Sequence, residues 1–150
     1  MKVTPMAIDL AAAAELEVEE LHAAFTVWFR PGAPEAVFAR FEAALAAGFS
    51  MVSPAGLLLA REPLLAGLRA AGGSRGDTFR IAIEDHTPLH IAPPLILFHY
   101  VERQWTASLG AARESARRAT ALLRADPHGP NGLRWLAVHE TWITSPEPAH

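Results

Sequence analysis

The first clear period along the chain is helical. Val18, Leu21, Phe25, Trp28 and Phe29 recur at helical spacing, so they share one face. Asp9 stands where a cap is needed ahead of Leu10. Pro31-Gly32 stops the element. Glu15, Glu17, Glu19 and Glu20 fall early, where carboxylates suit the helix dipole and solvate the outer side. Pro34 fits the first turn of a second helix. Its stripe is Val37, Phe38, Phe41 and Leu45, and Gly48 closes it. The short link predicts a helical hairpin.

Strand signals follow. Phe49 to Ser53 reads as a short strand, Pro54-Ala55-Gly56 as a turn, and Leu57 to Leu59 as a brief second strand. Glu62 to Ala71 returns to helical spacing, ended by Gly72-Gly73. From Thr78 the period becomes two: Phe79, Ile81 and Ile83 alternate with Arg80, Ala82 and Glu84. Pro88, Pro93 and Pro94 make His86 to Ala92 an irregular connection or an edge piece. Leu95 to Thr106 and Ala116 to Ala125 read as long strands around a polar turn, Ala107 to Glu114. DPHGPNG at 126–132 is a loop, and Leu133 to Ile143 is the last strand. This order predicts an α+β fold, with helices segregated to one face of a twisted sheet. One domain spans 1–150, with flexible tails at 1–8 and 145–150.

The last strand organises the rest. Side chains on a strand alternate between faces. One face shows Trp135, Ala137, His139 and Thr141; the other shows Leu136, Val138, Glu140 and Trp142. Neither is purely polar, so both are expected to be covered.

Composition narrows the classes. A chain of 150 residues, 51% hydrophobic and 19% charged, carries enough apolar material for a core. The net charge of −3 argues against nucleic acid. The sequence contains no cysteine, so disulfides, thiolate zinc sites and cysteine nucleophiles are excluded. The start does not read as a signal peptide, and no stretch approaches the ~18 apolar residues of a membrane span. A soluble cytoplasmic protein is expected.

Three features carry a family resemblance: the opening helix pair, FSMVSPAGLLLAREPLLAGLRAAGG, and the closing WLAVHETW after a strand of the YVERQW kind. The chain resembles the nuclear transport factor 2-like superfamily, and within it the small bacterial cystatin-like proteins of unknown function. The resemblance implies a cone-shaped α+β barrel. About three N-terminal helices would pack on a strongly curved, mostly antiparallel sheet. A pocket would open at one end, and the sheet's other face would form a homodimer. The last strand is similar to the association domain of calcium/calmodulin-dependent kinase. That likeness turns Leu136, Val138, Glu140 and Trp142 towards the pocket. Neighbouring strands would then add Tyr100, Glu102 and Gln104, and also Thr120, Leu122 and Arg124. Trp28 would line the mouth. His99, Trp135 and His139 would face the partner subunit. Related proteins often carry a histidine where Thr141 stands.

Three functional readings follow. The cone binds a small, mostly apolar molecule. Alternatively it is an isomerase, dehydratase or cyclase, with Glu102 or Glu140 as general acid/base and Tyr100 as hydrogen-bond donor. Alternatively it is an oligomerisation module. Against chemistry stands a structural role, with Arg103 or Arg124 pairing the carboxylates. No cofactor and no metal are expected. HETWI has Ile143 where a zinc-protease motif has its second histidine. His86 and His90 are separated by Pro88 and have no third ligand. The Gly72–Gly76 loop has no phosphate-loop lysine. Arg113, Arg117 and Arg118 cluster by the long turn as a solvated face or an anion contact.

Overall fold

The computed structural model describes residues 9–108 and 111–146. The tails expected at 1–8 and 145–150 lie outside them, apart from Ser145 and Pro146. Helix α1 spans Leu10–Phe29, and the Asp9 carboxylate accepts the Ala12 N–H at 3.1 Å as its cap. Gly32, at φ +82°, takes the left-handed turn that leads to α2, Ala36–Ala44.

The buried stripe of α1 runs through Leu10, Ala14, Glu17, Val18, Leu21, His22 and Trp28. Two ionisable residues therefore sit on the apolar face. Glu17 does not solvate the outside; its carboxylate is fully buried. Arg40 of α2 donates to both its oxygens, Nη1 at 3.1 Å and Nη2 at 2.5 Å. Asn131 Nδ2 at 3.0 Å and Trp135 Nε1 at 2.9 Å complete the shell. A buried charge survives only when so satisfied.

Helix α2 ends at Ala44, short of Gly48. Leu45 is already extended, and strand β1 spans Leu45–Val52. Leu45, Ala46 and Phe49 are buried from this strand, so packing overrides the helical spacing there. Strand β2 (Leu58–Ala60) and helix α3 (Arg61–Ala70) follow. Four long elements complete the chain: β3 (Arg80–Ala92), β4 (Leu95–Ser108), β5 (Ala111–Ala125) and β6 (Leu133–Thr144), the last preceded by a 3-10 turn at Pro130–Gly132. The expected polar turn at 107–114 is therefore mostly strand. His86 to Ala92 is an edge strand, with register breaks after Glu84 and Pro88 and Asp85 at φ +54°.

The sheet order is β2-β1-β6-β5-β4-β3. The β1–β6 pairing is parallel and the others are antiparallel. The sheet does not close; β2 and β3 are its edges. The three helices pack on its concave side, where Phe98, Tyr100, Leu123, Leu133 and Trp135 meet Val18, Leu21 and Phe41.

Register decides which side chains face inward. Each β4–β5 pair joins residues of opposite number parity, as in Tyr100↔Ala119 and Glu102↔Arg117. Inward even positions on β4 thus select odd ones on β5. In β6 the parity changes midway. Leu123 pairs with Trp135 and Leu122 with Ala137, leaving Leu136 as the extra residue of a bulge. Leu133 and Trp135 point in before it; Val138 and Glu140 point in after it.

Candidate functional site

A cavity opens between the helices and the concave sheet. Its volume is about 200 Å³, counted as space open to the centre of a water molecule. Its walls are apolar: Leu21, Phe25 and Phe29 from α1, Phe49 and Met51 from β1, Leu64 and Leu68 from α3. Most of its polar groups gather on the central strands and α1: Tyr100, Glu102 and Gln104 from β4, Arg117 from β5, Glu140 from β6 and His22 from α1; Arg75 adds a cation from the loop after α3.

His22 is held from two sides. Its Nδ1 lies 2.7 Å from the Val18 carbonyl and its Nε2 3.0 Å from Glu102 Oε1. Both partners are acceptors, so a ring that donates twice satisfies both. Burial works against the imidazolium, but the charge and hydrogen bond of Glu102, with smaller help from Val18 and Glu140, raise the His22 pKa above 6.5. Burial likewise disfavours ionised Glu102, yet His22, Arg117 and the Gln104 amide that donates to Oε2 bring it down to about 2. Glu102 and His22 form a buried ion pair.

Glu140 is the opposite case. Burial and the Glu102 charge push its pKa up to about 7, against the pull of Arg117 and His22. Arg117 stands between the two carboxylates, Nε 4.0 Å from Glu102 Oε2 and Nη1 3.6 Å from Glu140 Oε1. The Tyr100 phenol lies well above its ordinary value, through burial and both carboxylates, and so stays a donor.

Of the residues expected in the pocket, Tyr100, Glu102, Gln104, Val138 and Glu140 line the cavity. Thr120, Leu122 and Arg124 do not. Thr120 and Leu122 line a groove on the outer face, and Arg124 is exposed. Their inward expectation fails because the β4–β5 register inverts parity. Leu136 fails too: it is the bulge residue and lines no wall. Trp135 was expected on the partner face, but lies inside at 2% exposure. Trp28 belongs to the core, against Phe38 and Phe41, with its indole N–H donating to the Leu68 carbonyl at 2.7 Å. Trp142 lines a neighbouring groove that shares Gln104 and Arg117 with the cavity, its ring 4.8 Å from the Arg117 guanidinium. His99 and His139 do lie on the outer face, both in register with Thr120.

The carboxylates' partners also differ from expectation. Arg103 pairs with Glu84 and Glu114, so Arg117 and His22 take its place in the cavity. Arg117 shows a solvated-face pattern in sequence, and only register turns it inward. His22 had a signal: it falls on the apolar stripe of α1. Among the described residues, no group of three or more His, Asp or Glu could hold a metal ion.

Three helices packed on an open, curved six-stranded mixed sheet are consistent with the nuclear transport factor 2-like α+β cone, as the solved structures similar to this chain bear out. No protein-family model matches the chain, and no curated protein matches its sequence. Solved structures do. An NTF2-like protein of unknown function from Pseudomonas aeruginosa is 28% identical, with a TM-score of 0.78 over 87% of this chain and 98% of that one. A candidate dehydratase of the NTF2-like family from Streptomyces avermitilis is 15% identical, with a TM-score of 0.65 over 93% and 100%. The CaMKII hub of S. rosetta is 7% identical, with a TM-score of 0.63 over 95% and 100%. The last two show the shared fold alone. No helix among the described residues is long and apolar enough to cross a membrane.

Proposed function

We propose that the protein is a cytoplasmic homodimer that binds one small, mostly apolar molecule in each cone. The observation that carries this is the segregation within the cavity: aromatic and aliphatic walls, with the polar groups other than Arg75 near one cluster. Such a layout buries an apolar body and orients one polar group. The test is native mass spectrometry and a crystal structure of protein purified from its own host. A retained small molecule in the cavity is the expected result. A cavity holding only water, with no small molecule raising the melting temperature, would remove the reading.

A second reading rests on Glu140. A carboxyl poised near neutrality beside an apolar cavity can take a proton from a carbon acid and return it elsewhere. Arg117 and the Tyr100 hydroxyl stand where an oxyanion would need donors. This is isomerase, dehydratase or cyclase chemistry, and one fold neighbour is a candidate dehydratase. Turnover of a carbonyl substrate that Glu140→Gln abolishes, with binding intact, would support it. Glu102 is less suited to this role, since its ion pair with His22 keeps it ionised and weakly basic.

A further inference from the structure

We infer that the cavity takes an amphipathic carboxylate, its apolar body among Phe25, Phe29, Phe49 and Met51 and its carboxylate beside Arg117 and Glu140. This rests on the ligand-binding reading above and gives that ligand a charge.

Arg117 is the first ground. Its Nε–H is buried and has no hydrogen-bond partner among the described residues. Glu102 at 4.0 Å and Glu140 at 3.6 Å lie in ion-pair range but beyond hydrogen-bond range. Trp142 packs on the guanidinium and fixes its plane. The Arg117 side chain lines both the cavity and the neighbouring groove. A held guanidinium with an unused buried donor calls for an acceptor.

The charge count is the second ground. The charged or titratable groups that line the cavity with Glu140 are His22 from α1, Tyr100 and Glu102 from β4, Arg117 from β5 and Arg75 from the loop after α3. Strand β1, helix α2 and helix α3 add only apolar side chains to the cavity. His22 and Glu102 cancel. Arg75 makes no ion pair among the described residues; its guanidinium lies 5.7 Å from the Phe29 ring and 5.9 Å from the Phe79 ring. Arg117 is thus the cation beside Glu140, and Arg75 is a second cation on the cavity wall.

The flanking carboxylates select the anion. A dianionic phosphate at Arg117 would meet Glu102 and Glu140 at close range and be repelled. A monocarboxylate matches the planar donors and can share one proton with Glu140. Binding then draws a proton onto Glu140 wherever it is ionised in the free protein.

The experiment is calorimetric titration of the full chain with octanoate, octanol, octyl phosphate and octylammonium. It is run at about pH 6 and about pH 8, in buffers of differing ionisation enthalpy. Octanoate is expected to bind about tenfold or more tightly than the other three. At the higher pH it should take up close to one proton, and at the lower pH much less. Arg117→Gln should bring octanoate down to the affinity of octanol. Should that variant fold poorly, proton uptake by the wild type carries the test alone. Equal binding of octanoate and octanol overturns the carboxylate inference and leaves ligand binding standing. A preference for octyl phosphate or octylammonium overturns it too, as does octanoate binding without proton uptake at the higher pH. No binding of any probe overturns both readings.

Discussion

Nε2 of His22 stands 3.0 Å from Oε1 of Glu102, and only 6% and 7% of the two side chains is exposed. The pair joins the first helix to the middle of the sheet. Breaking one half leaves the other charge buried. His22→Ala is therefore expected to cost about 3–5 kcal/mol in urea unfolding. The Glu102 pKa should also rise from about 2, read from its carboxyl carbon shift. A loss below about 1 kcal/mol would mean that Arg117 and Gln104 suffice for Glu102.

Glu140 gives stability the opposite pH dependence from an ordinary paired carboxylate. Its pKa is raised from 4.5 to about 7 on folding. The folded state therefore holds its proton more tightly. The stabilisation is complete below 4.5 and is lost as pH rises through about 7. The loss is on the order of 3 kcal/mol, at about 1.4 kcal/mol per unit. Glu140→Gln should flatten this fall and be more stable than wild type at alkaline pH. Arg117→Gln should move the Glu140 midpoint further up, because a favourable cation is removed. A Glu140 that titrates near its ordinary value would refute both expectations.

Much of this was legible in the residues, and the misses have particular causes. Asp9 and Pro31-Gly32 bounded α1 correctly because caps and breakers act locally. Alternation puts Tyr100, Glu102 and Gln104 on one face and the family likeness turns Glu140 inward; the structure sets Tyr100, Glu102 and Glu140 on the cavity wall. Leu136 could not be read as a bulge, since nothing in LRWLAVHETWI interrupts the alternation. The sequence leaves Arg117 as a solvated face or an anion contact and points Thr120 inward, because hairpin register is a property of two strands and neither strand shows it alone. Glu17 and His22 were different. Both lie on the stripe through Leu10, Ala14, Val18 and Leu21, and an ionisable residue on an apolar stripe was a sign of a buried partner.

The Glu17 clamp should behave as one unit. Arg40, Asn131 and Trp135 all donate to one carboxylate, on the N-terminal half of α1. Glu17→Ala strands a buried indole N–H and a half-buried guanidinium, at a cost of about 3–5 kcal/mol. Trp135→Phe removes one donor and should cost about 1–3 kcal/mol. A double variant that loses clearly less than the sum would show the coupling. Strict additivity would show independent contacts.

Deletion of Leu136 tests the bulge. Without it, Ala137 follows Trp135 directly and β6 alternates without a break, so Leu133, Trp135, Val138 and Glu140 can all keep their inward places. The variant is expected to fold, to lose less than about 2 kcal/mol and to keep the Glu140 titration in place. A loss above about 4 kcal/mol would mean that the strand needs the bend the bulge puts into it.

The outer face tests the homodimer. Leu97 and Leu122 are half-buried in a groove with Thr120, Ala137 and His139, away from the cavity. His99 and His139 flank Thr120 across three strands. Leu122→Asp places a charge at the centre of that patch without touching the inward side chains. If two copies pack through this face, light scattering should show the mass fall from two chains to one. Melting should then become independent of concentration, while the Glu140 titration stays in place. His139→Asp, at the more exposed rim, should weaken the dimer less. A wild-type protein that scatters as a single chain at all concentrations would rule out this interface. A dimer that survives Leu122→Asp would place the interface elsewhere on the molecule.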